Sequence, residues 1–276
     1  MSKIPKVIHY CWFGPNPLPE IFEKCYESWK KYCPDFEIKF WNEENFDVNA
    51  NEYLSKTYKL NKFSKISNYA RLKIIYENGG VYLDIDVELI KSIDELLNHD
   101  MYLGFEDEIR VNTGLGFGAV QGHELIKKMM ENYENETKKI NKDYRYETCP
   151  VFDSKKLVDL GFELVNKYQI YNKIIFLPTT YLNPKGFRSN ETNFTENTIS
   201  IHHFSNTWFD RRQRINQNII SFFDKTIGNI FGVRSSRRIS KIFNYSVNFF
   251  FRIKNHGIKK TLIFMKKKLF RRNNNG

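Results

Sequence analysis

At 276 residues with 41% hydrophobic content, the chain can bury a substantial core, and its length suits one α/β domain with an appendage better than two independent domains. The 16% aromatic content, 24 Phe and 16 Tyr, exceeds that of a disordered chain. The net charge of +11 invites a nucleic-acid reading, but it is segregated. Residues 211–276 carry 17 Lys and Arg against the single acid Asp224, whereas residues 1–210 carry 26 bases and 31 acids. The surplus therefore lies outside the expected folded core, and with no recognised nucleic-acid-binding module present, nucleic acid is not an expected partner.

Lys6 to Phe13 is an apolar, β-branched and aromatic run ending in Gly14-Pro15, which predicts a buried first strand entering a loop. Ile21, Phe22, Cys25, Tyr26 and Trp29 recur at helical spacing until Cys33-Pro34 stops them, and Phe36 to Trp41 predicts a second strand. A second helix is predicted from Lys65 to Glu77, closed by Asn78-Gly79-Gly80. A strand from Val81 to Leu89 follows at once. Met101 to Phe105, Leu115 to Val120, Lys173 to Leu177 and Thr198 to His203 read as further strands, and His123 to Lys139 as a helix with a charged outer face. Such alternation is the pattern of an α/β sheet with helices packed on it.

Along the strand Val81 to Leu89, alternation puts Val81, Leu83, Ile85 and Val87 on one face, and Tyr82, Asp84 and Asp86 on the other. Two carboxylates so placed are costly to desolvate without a cation, and a hard divalent ion with oxygen ligands fits them. The bland alternative is a pair of solvated acids, since D-x-D arises often by chance. One helix upstream, Asn68 and Arg71 share a face by their spacing of three, and Arg71 can meet either a carboxylate or phosphate or an ordinary surface partner. In Ile201 to Trp208, the adjacent His202 and His203 point to opposite sides of a strand, so at most one joins a single metal site. Trp12, where the first strand ends, is either core or a platform for a base.

Pro5 to Gly14, Ser67 to Leu72, Asn78 to Glu88 and His202 to Trp208 together resemble the DXD-containing sugar transferases of glycosyltransferase family 32, in order and over about residues 4 to 210. The resemblance implies a GT-A fold with a mixed central sheet over residues 1–210. It also implies a nucleoside-diphosphate-sugar donor, a UDP-sugar first among the candidates, a Mn²⁺ or Mg²⁺ ion, and transfer with retention of configuration. It further implies that Trp12 stacks on the nucleobase, that Tyr82 lines the donor site and that Arg71 contacts donor sugar or phosphate. Asp84 would bind ribose and sugar and Asp86 the metal, making Asp84, Asp86 and Arg71 the catalytic set. His202, or less readily His203, would complete the metal ligands. Ser205 and Trp208 would approach the diphosphate, and Asn112 would face the donor sugar unless it is a loop-capping amide. Asn68 stands where the family has Asp; an amide there forfeits a charge-assisted bond of about 1 to 3 kcal/mol. That departure leaves open a catalytically weak sugar-binding protein.

Residues 211–276 interleave Lys259-Lys260, Lys266 to Lys268 and Arg271-Arg272 with Leu262, Ile263, Phe264, Leu269 and Phe270. The pattern suits a basic helical extension lying on an anionic membrane surface, with a solvated basic tail as the alternative. No leader pattern and no long apolar run is visible, and the four cysteines lack CxxC spacing. The expectation is a cytoplasmic protein, peripheral to the inner face of the membrane, acting on a saccharide or lipid-linked glycan acceptor.

Overall fold

The computed structural model describes residues 3–141, 147–185 and 192–205, with isolated helical positions between 215 and 258. Met1–Ser205 forms one compact unit and Asn206–Gly276 a second. The first unit opens with β1 (Val7–Cys11), α1 (Ile21–Tyr32) and β2 (Glu37–Trp41). Helices α2 (Glu52–Lys59) and α3 (Phe63–Asn78) follow, then the short strands β3 (Gly80–Tyr82) and β4 (Val87–Leu89). Next come β5 (Met101–Gly104), β6 (Phe117–Ala119), α4 (Glu124–Asn135) and α5 (Cys149–Asp159). The unit ends with β7 (Gln169–Tyr171), β8 (Ile174–Leu177), α6 (Thr179–Leu182) and β9 (Ser200–His202).

Seven strands form a mixed sheet in the order β2-β1-β3-β6-β5-β8-β7. β1 runs parallel to both β2 and β3, and β5 parallel to β8, while β6 and β7 pair antiparallel with their neighbours. The mixed α/β sheet expected from the sequence is therefore present. Its strands are buried on both faces: Met101, Leu103, Ile174 and Phe176 pack with α3 and α4, whereas Ile8, Tyr10, Val81, Tyr102, Ile175 and Leu177 pack with Trp29 of α1. Period-two apolar alternation with helices over both faces produces this double core.

One correction positions the site. The predicted strand Val81 to Leu89 is two strands in two sheets, for β4 leaves the large sheet and pairs antiparallel with β9. Asp84-Ile85-Asp86 forms the turn between them, closed by the Val87 amide donating to the Asp84 carbonyl at 3.0 Å. The apolar alternation survives the turn because Leu83, Ile85 and Val87 remain in the core beneath α1, so pattern alone could not reveal the departure. At the entry to β3, Gly79 and Gly80 have φ of +67° and +100°. A β-carbon on Gly80 would stand 2.8 Å from the Val7 carbonyl oxygen and 3.0 Å from His9 Nε2, so only glycine fits where α3 turns into the sheet.

His9, fully buried in β1, donates from Nε2 to the Gly79 carbonyl at 3.1 Å and accepts at Nδ1 from Trp41 Nε1 at 3.0 Å. Both ring nitrogens are thus satisfied in the neutral form. Burial pushes its pKa down to about 4 from the usual 6.5. The unfolded chain then binds the proton first, so stability should fall as pH drops from 6.5 towards 4, by up to about 3 kcal/mol. Chemical denaturation at the two ends of that range is expected to show this loss, and His9→Gln should shrink it; an equal loss in both proteins would exclude His9 as its source.

Candidate active site

The turn Asp84 to Asp86 and the end of β9 meet because Val87 stands opposite His202 in the β4–β9 pairing. One ligand atom each from Asp84, Asp86 and His202 can be chosen so that all lie within 4.8 Å of one another. Asp86, 7% exposed, contacts His202 Nε2 through Oδ1 at 3.1 Å. Its Oδ2 accepts from the Ser205 amide at 2.8 Å and from Ser205 Oγ at 2.7 Å. Burial alone would raise its pKa, but His202 and the Ser205 donors outweigh burial and hold the carboxyl well below the usual carboxylate range. Burial likewise opposes the charged imidazole, yet the acids around His202, Asp86 first, raise its pKa.

Phe204 adopts φ of +50°, and its ring lies 4.1 Å from that of His202. This left-handed residue costs about 1 to 2 kcal/mol. It turns the chain so that Ser205 folds back onto Asp86, which offsets part of that cost. His203 points the other way, its Nε2 meeting Glu88 Oε2 at 2.8 Å, where Lys24 also pairs with Glu88. Of the two histidines expected near the metal, His203 thus lies outside the cluster, since adjacent strand residues face opposite sides.

The donor set fits a divalent cation: two carboxylates and an imidazole, oxygen-rich, with Asp86 and His202 buried and Asp84 partly exposed. His202 Nδ1 is buried and has no hydrogen-bond partner among the described residues, a group left unsatisfied by the protein alone.

Arg71 is a buried partner of this turn rather than a helix-surface residue. Its side chain is 5% exposed, and Nη2 meets Asp84 Oδ1 at 3.0 Å. Tyr82 donates its hydroxyl to the same oxygen at 3.0 Å, and the Arg71 guanidinium lies 5.0 Å from the Tyr82 ring centroid. Burial raises the Asp84 carboxyl against the pull of Arg71. Asn68, three residues before Arg71 on α3, is also buried.

Asn112 caps the short helical turn Thr113–Leu115: its Oδ1 accepts from the Gly114 amide at 2.7 Å, and its Nδ2 donates to Glu106 Oε2 at 2.6 Å. A β-carbon on Gly114 would fall 2.3 Å from Asp84 Oδ2 and 2.9 Å from Arg71 Nη1. This turn therefore presses directly on the Arg71–Asp84 pair. Trp12 is half-buried just beyond β1, its indole N–H donating to the Asn16 carbonyl at 2.6 Å. Ser205 is exposed apart from its bonds to Asp86. Trp208 lies outside the described residues.

Sequence reasoning missed the layer behind Arg71. Asp153 of α5, 1% exposed, accepts from Tyr133 at 2.7 Å and from Thr113 Oγ1 at 3.1 Å, with Cys149 Sγ also 3.1 Å away. Arg71 Nη1 lies 3.4 Å from Thr113 Oγ1. These groups come from α4, α5 and the Asn112 turn, so no local pattern unites them. The one available signal was Thr148-Cys149-Pro150, a hydroxyl residue before a proline in the first turn, which marks a helix start.

Residues 19–103 match the glycosyltransferase sugar-binding region containing the DXD motif. Inositol phosphoceramide mannosyltransferase 3 of Schizosaccharomyces pombe is 25% identical over 139 residues, covering 48% of this chain and 37% of that protein. Inositol phosphoceramide mannosyltransferase 1 of the same yeast is 29% identical over 143 residues, covering 48% of this chain and 43% of that protein. The matches thus span less than half the length of these relatives. Among solved structures, the PaToxG glycosyltransferase is similar with a TM-score of 0.48 and 15% identity, covering 58% of this chain and 70% of that one. The matched segment contains Arg71, Asp84 and Asp86 and spans less than a third of the chain, and over it the chain is similar to DXD-containing sugar transferases.

Proposed function

We propose that the protein transfers a hexose or N-acetylhexosamine from a nucleoside-diphosphate sugar to a saccharide acceptor, with retention of configuration, at the site built on Asp84 and Asp86. The single observation that carries this reading is the convergence of Asp84, Asp86 and His202 within 4.8 Å, in a chain whose DXD segment matches a sugar-binding region. A Mn²⁺ or Mg²⁺ ion held by these three residues would neutralise charge on the departing diphosphate. UDP-sugars head the donors to be tested. Because two relatives carry names of inositol phosphoceramide mannosyltransferases, GDP-mannose stands beside them, and a lipid-linked acceptor is the favoured class.

The chain's own residues have separable tasks. Arg71, fixed by Asp84 and Tyr82, directs positive charge to donor phosphate or sugar and is preorganised for it. Arg71 and Tyr82 both address Asp84 Oδ1, and among the described residues no donor meets its Oδ2, which is left for sugar hydroxyls. The Ser205 hydroxyl, now given to Asp86, can turn to a diphosphate oxygen. Trp12 supplies an aromatic face for the base and Asn112 shapes the wall at the sugar. In the transfer, the acceptor oxygen bonds to the anomeric carbon on the face that the diphosphate leaves, the bond from that carbon to the phosphate oxygen breaks, and the acceptor proton passes to the diphosphate.

Release of nucleotide from UDP-glucose, UDP-galactose, UDP-N-acetylglucosamine and GDP-mannose, with Mn²⁺ and with chelator, tests this reading. Metal-dependent release from one donor is expected; none from any donor, with or without simple glycoside acceptors, would reject it.

The basic extension, residues 211–276, is proposed to hold the enzyme on an anionic membrane surface at the inner face of the cell membrane, in bacterial surface polysaccharide synthesis such as a capsule. Its charge supports this, each cation near such a surface contributing about 1 kcal/mol. Phe243, Phe250 and Ile258, at described helical positions, are 51%, 65% and 59% exposed. Among the described residues no helix is long and apolar enough to cross a membrane. Co-sedimentation with phosphatidylglycerol vesicles should be lost on truncation after Ser205; equal sedimentation of both chains would refute the tail as anchor.

A further inference from the structure

Beyond the metal cluster and Arg71, the site contains another carboxylate that the reading above does not use. Glu106 follows β5 directly. Its Oε2 accepts from Asn112 Nδ2 at 2.6 Å, whereas its Oε1 has no hydrogen bond among the described residues. Arg110 makes no ion pair with it among the described residues and instead donates to Asp107 at 2.7 Å. The Glu106 backbone is locked: its amide donates to the Arg110 carbonyl at 2.7 Å, and its carbonyl accepts from Asn183 Nδ2 at 2.9 Å. Asn183 is itself 1% exposed, and its Oδ1 has no partner among the described residues.

Glu106 is also tied to the turn that presses on Asp84. It shares Asn112 with Gly114, the residue pressed against Asp84. Burial raises its pKa above the ordinary carboxylate value. A carboxylate that is partly desolvated, held by its backbone, and given one neutral donor and no ion pair gains from a ligand that completes its hydrogen bonds. Glu106 Oε1 and the Oδ1 of Asn183, whose Nδ2 holds the Glu106 carbonyl, are both acceptors without a donor among the described residues. The complementary ligand is rich in hydroxyl donors, which describes a sugar and not an anion. The donor's phosphate end is matched to Arg71 and the Asp86–His202 cluster, and its sugar hydroxyls to Asp84, so the hydroxyls assigned to Glu106 are those of the second substrate.

We infer that Glu106 is an acceptor-binding residue, its free oxygen receiving a hydroxyl of the acceptor sugar, with Asn112 and Asn183 holding it in place. This rests on the glycosyltransferase reading. Its test is a comparison of wild type, Glu106→Gln and Glu106→Asp, using the most active of the four nucleotide sugars above and methyl glycosides of mannose, glucose and galactose as acceptor probes. Glu106→Gln should raise the acceptor KM at least tenfold while the nucleotide-sugar KM moves less than twofold, and Glu106→Asp, which keeps the charge, should recover part of the loss. Donor and acceptor KM rising together, or neither changing, would overturn the assignment. Wild type inactive on every donor would instead reject the proposed function, and this inference with it.

Discussion

Replacing Asp86 by Ala is expected to lower sugar transfer by about three orders of magnitude, the scale on which loss of a metal ligand or of a preorganised electrostatic contact acts. The reason is local. Asp86 is the carboxylate that both Ser205 donors and His202 address, so its loss removes a ligand and also frees the segment that carries His202. Asp86→Asn separates the two effects, because an amide oxygen can still accept from Ser205 while the charge is gone. Turnover should fall nearly as far in Asp86→Asn as in Asp86→Ala, with thermal stability better preserved. Full metal-dependent turnover in either variant would contradict the role assigned to this residue.

The second large effect is on stability. Arg71→Met should destabilise the fold by about 3 kcal/mol, because it strands Asp84 against Tyr82 without its cation. The value is placed at the low end of the range for broken buried pairs because the Asp84 side chain is 25% exposed, so water screens part of the stranded charge. Removing Asp84 as well, in Arg71→Met with Asp84→Asn, should recover a measurable share, since the two side chains contact each other and their effects do not add. Urea unfolding of the single and double variants checks this; a loss under about 1 kcal/mol in Arg71→Met would mean the pair is far better solvated than its burial indicates.

Much of the fold around this site is legible in the sequence, and each part that is not has its own physical cause. Helix α3 was legible because Ile66, Tyr69, Ala70 and Ile74 repeat at helical spacing and Gly79 ends it. The opposite orientation of His202 and His203 followed from strand alternation alone, and their separate partners, Asp86 and Glu88, have that geometry. The break between β3 and β4 was invisible because both sides of the turn stay apolar on the α1 face. Helix α2 escaped because its eight residues carry a mostly polar surface, although Asn51 caps it by accepting from the Leu54 amide at 2.9 Å. Glu106 and Asp153 were missed for a different reason. A single carboxylate in a loop or helix carries no pattern, and only the fold shows that one meets Asn112 and the other Thr113. Asn112 itself turned out to cap its turn, so any contact it makes with a sugar uses the hydrogen-bonding capacity left over from Gly114 and Glu106.

The tail divides differently. Its charge and aromatic content are plain in the sequence, yet its clusters at 259–260, 266–268 and 271–272 fall outside the described residues, and its role rests on composition.

Asp84, Asp86 and His202 are expected to hold a divalent ion together in the presence of a nucleoside diphosphate. The most direct measurement is the electron paramagnetic resonance signal of free Mn²⁺ as the protein is added in the presence of UDP or GDP. The six-line signal should diminish with wild type and persist with His202→Ala or Asp86→Ala under the same conditions; an undiminished signal with wild type, or the same loss in all three proteins, would contradict the claim.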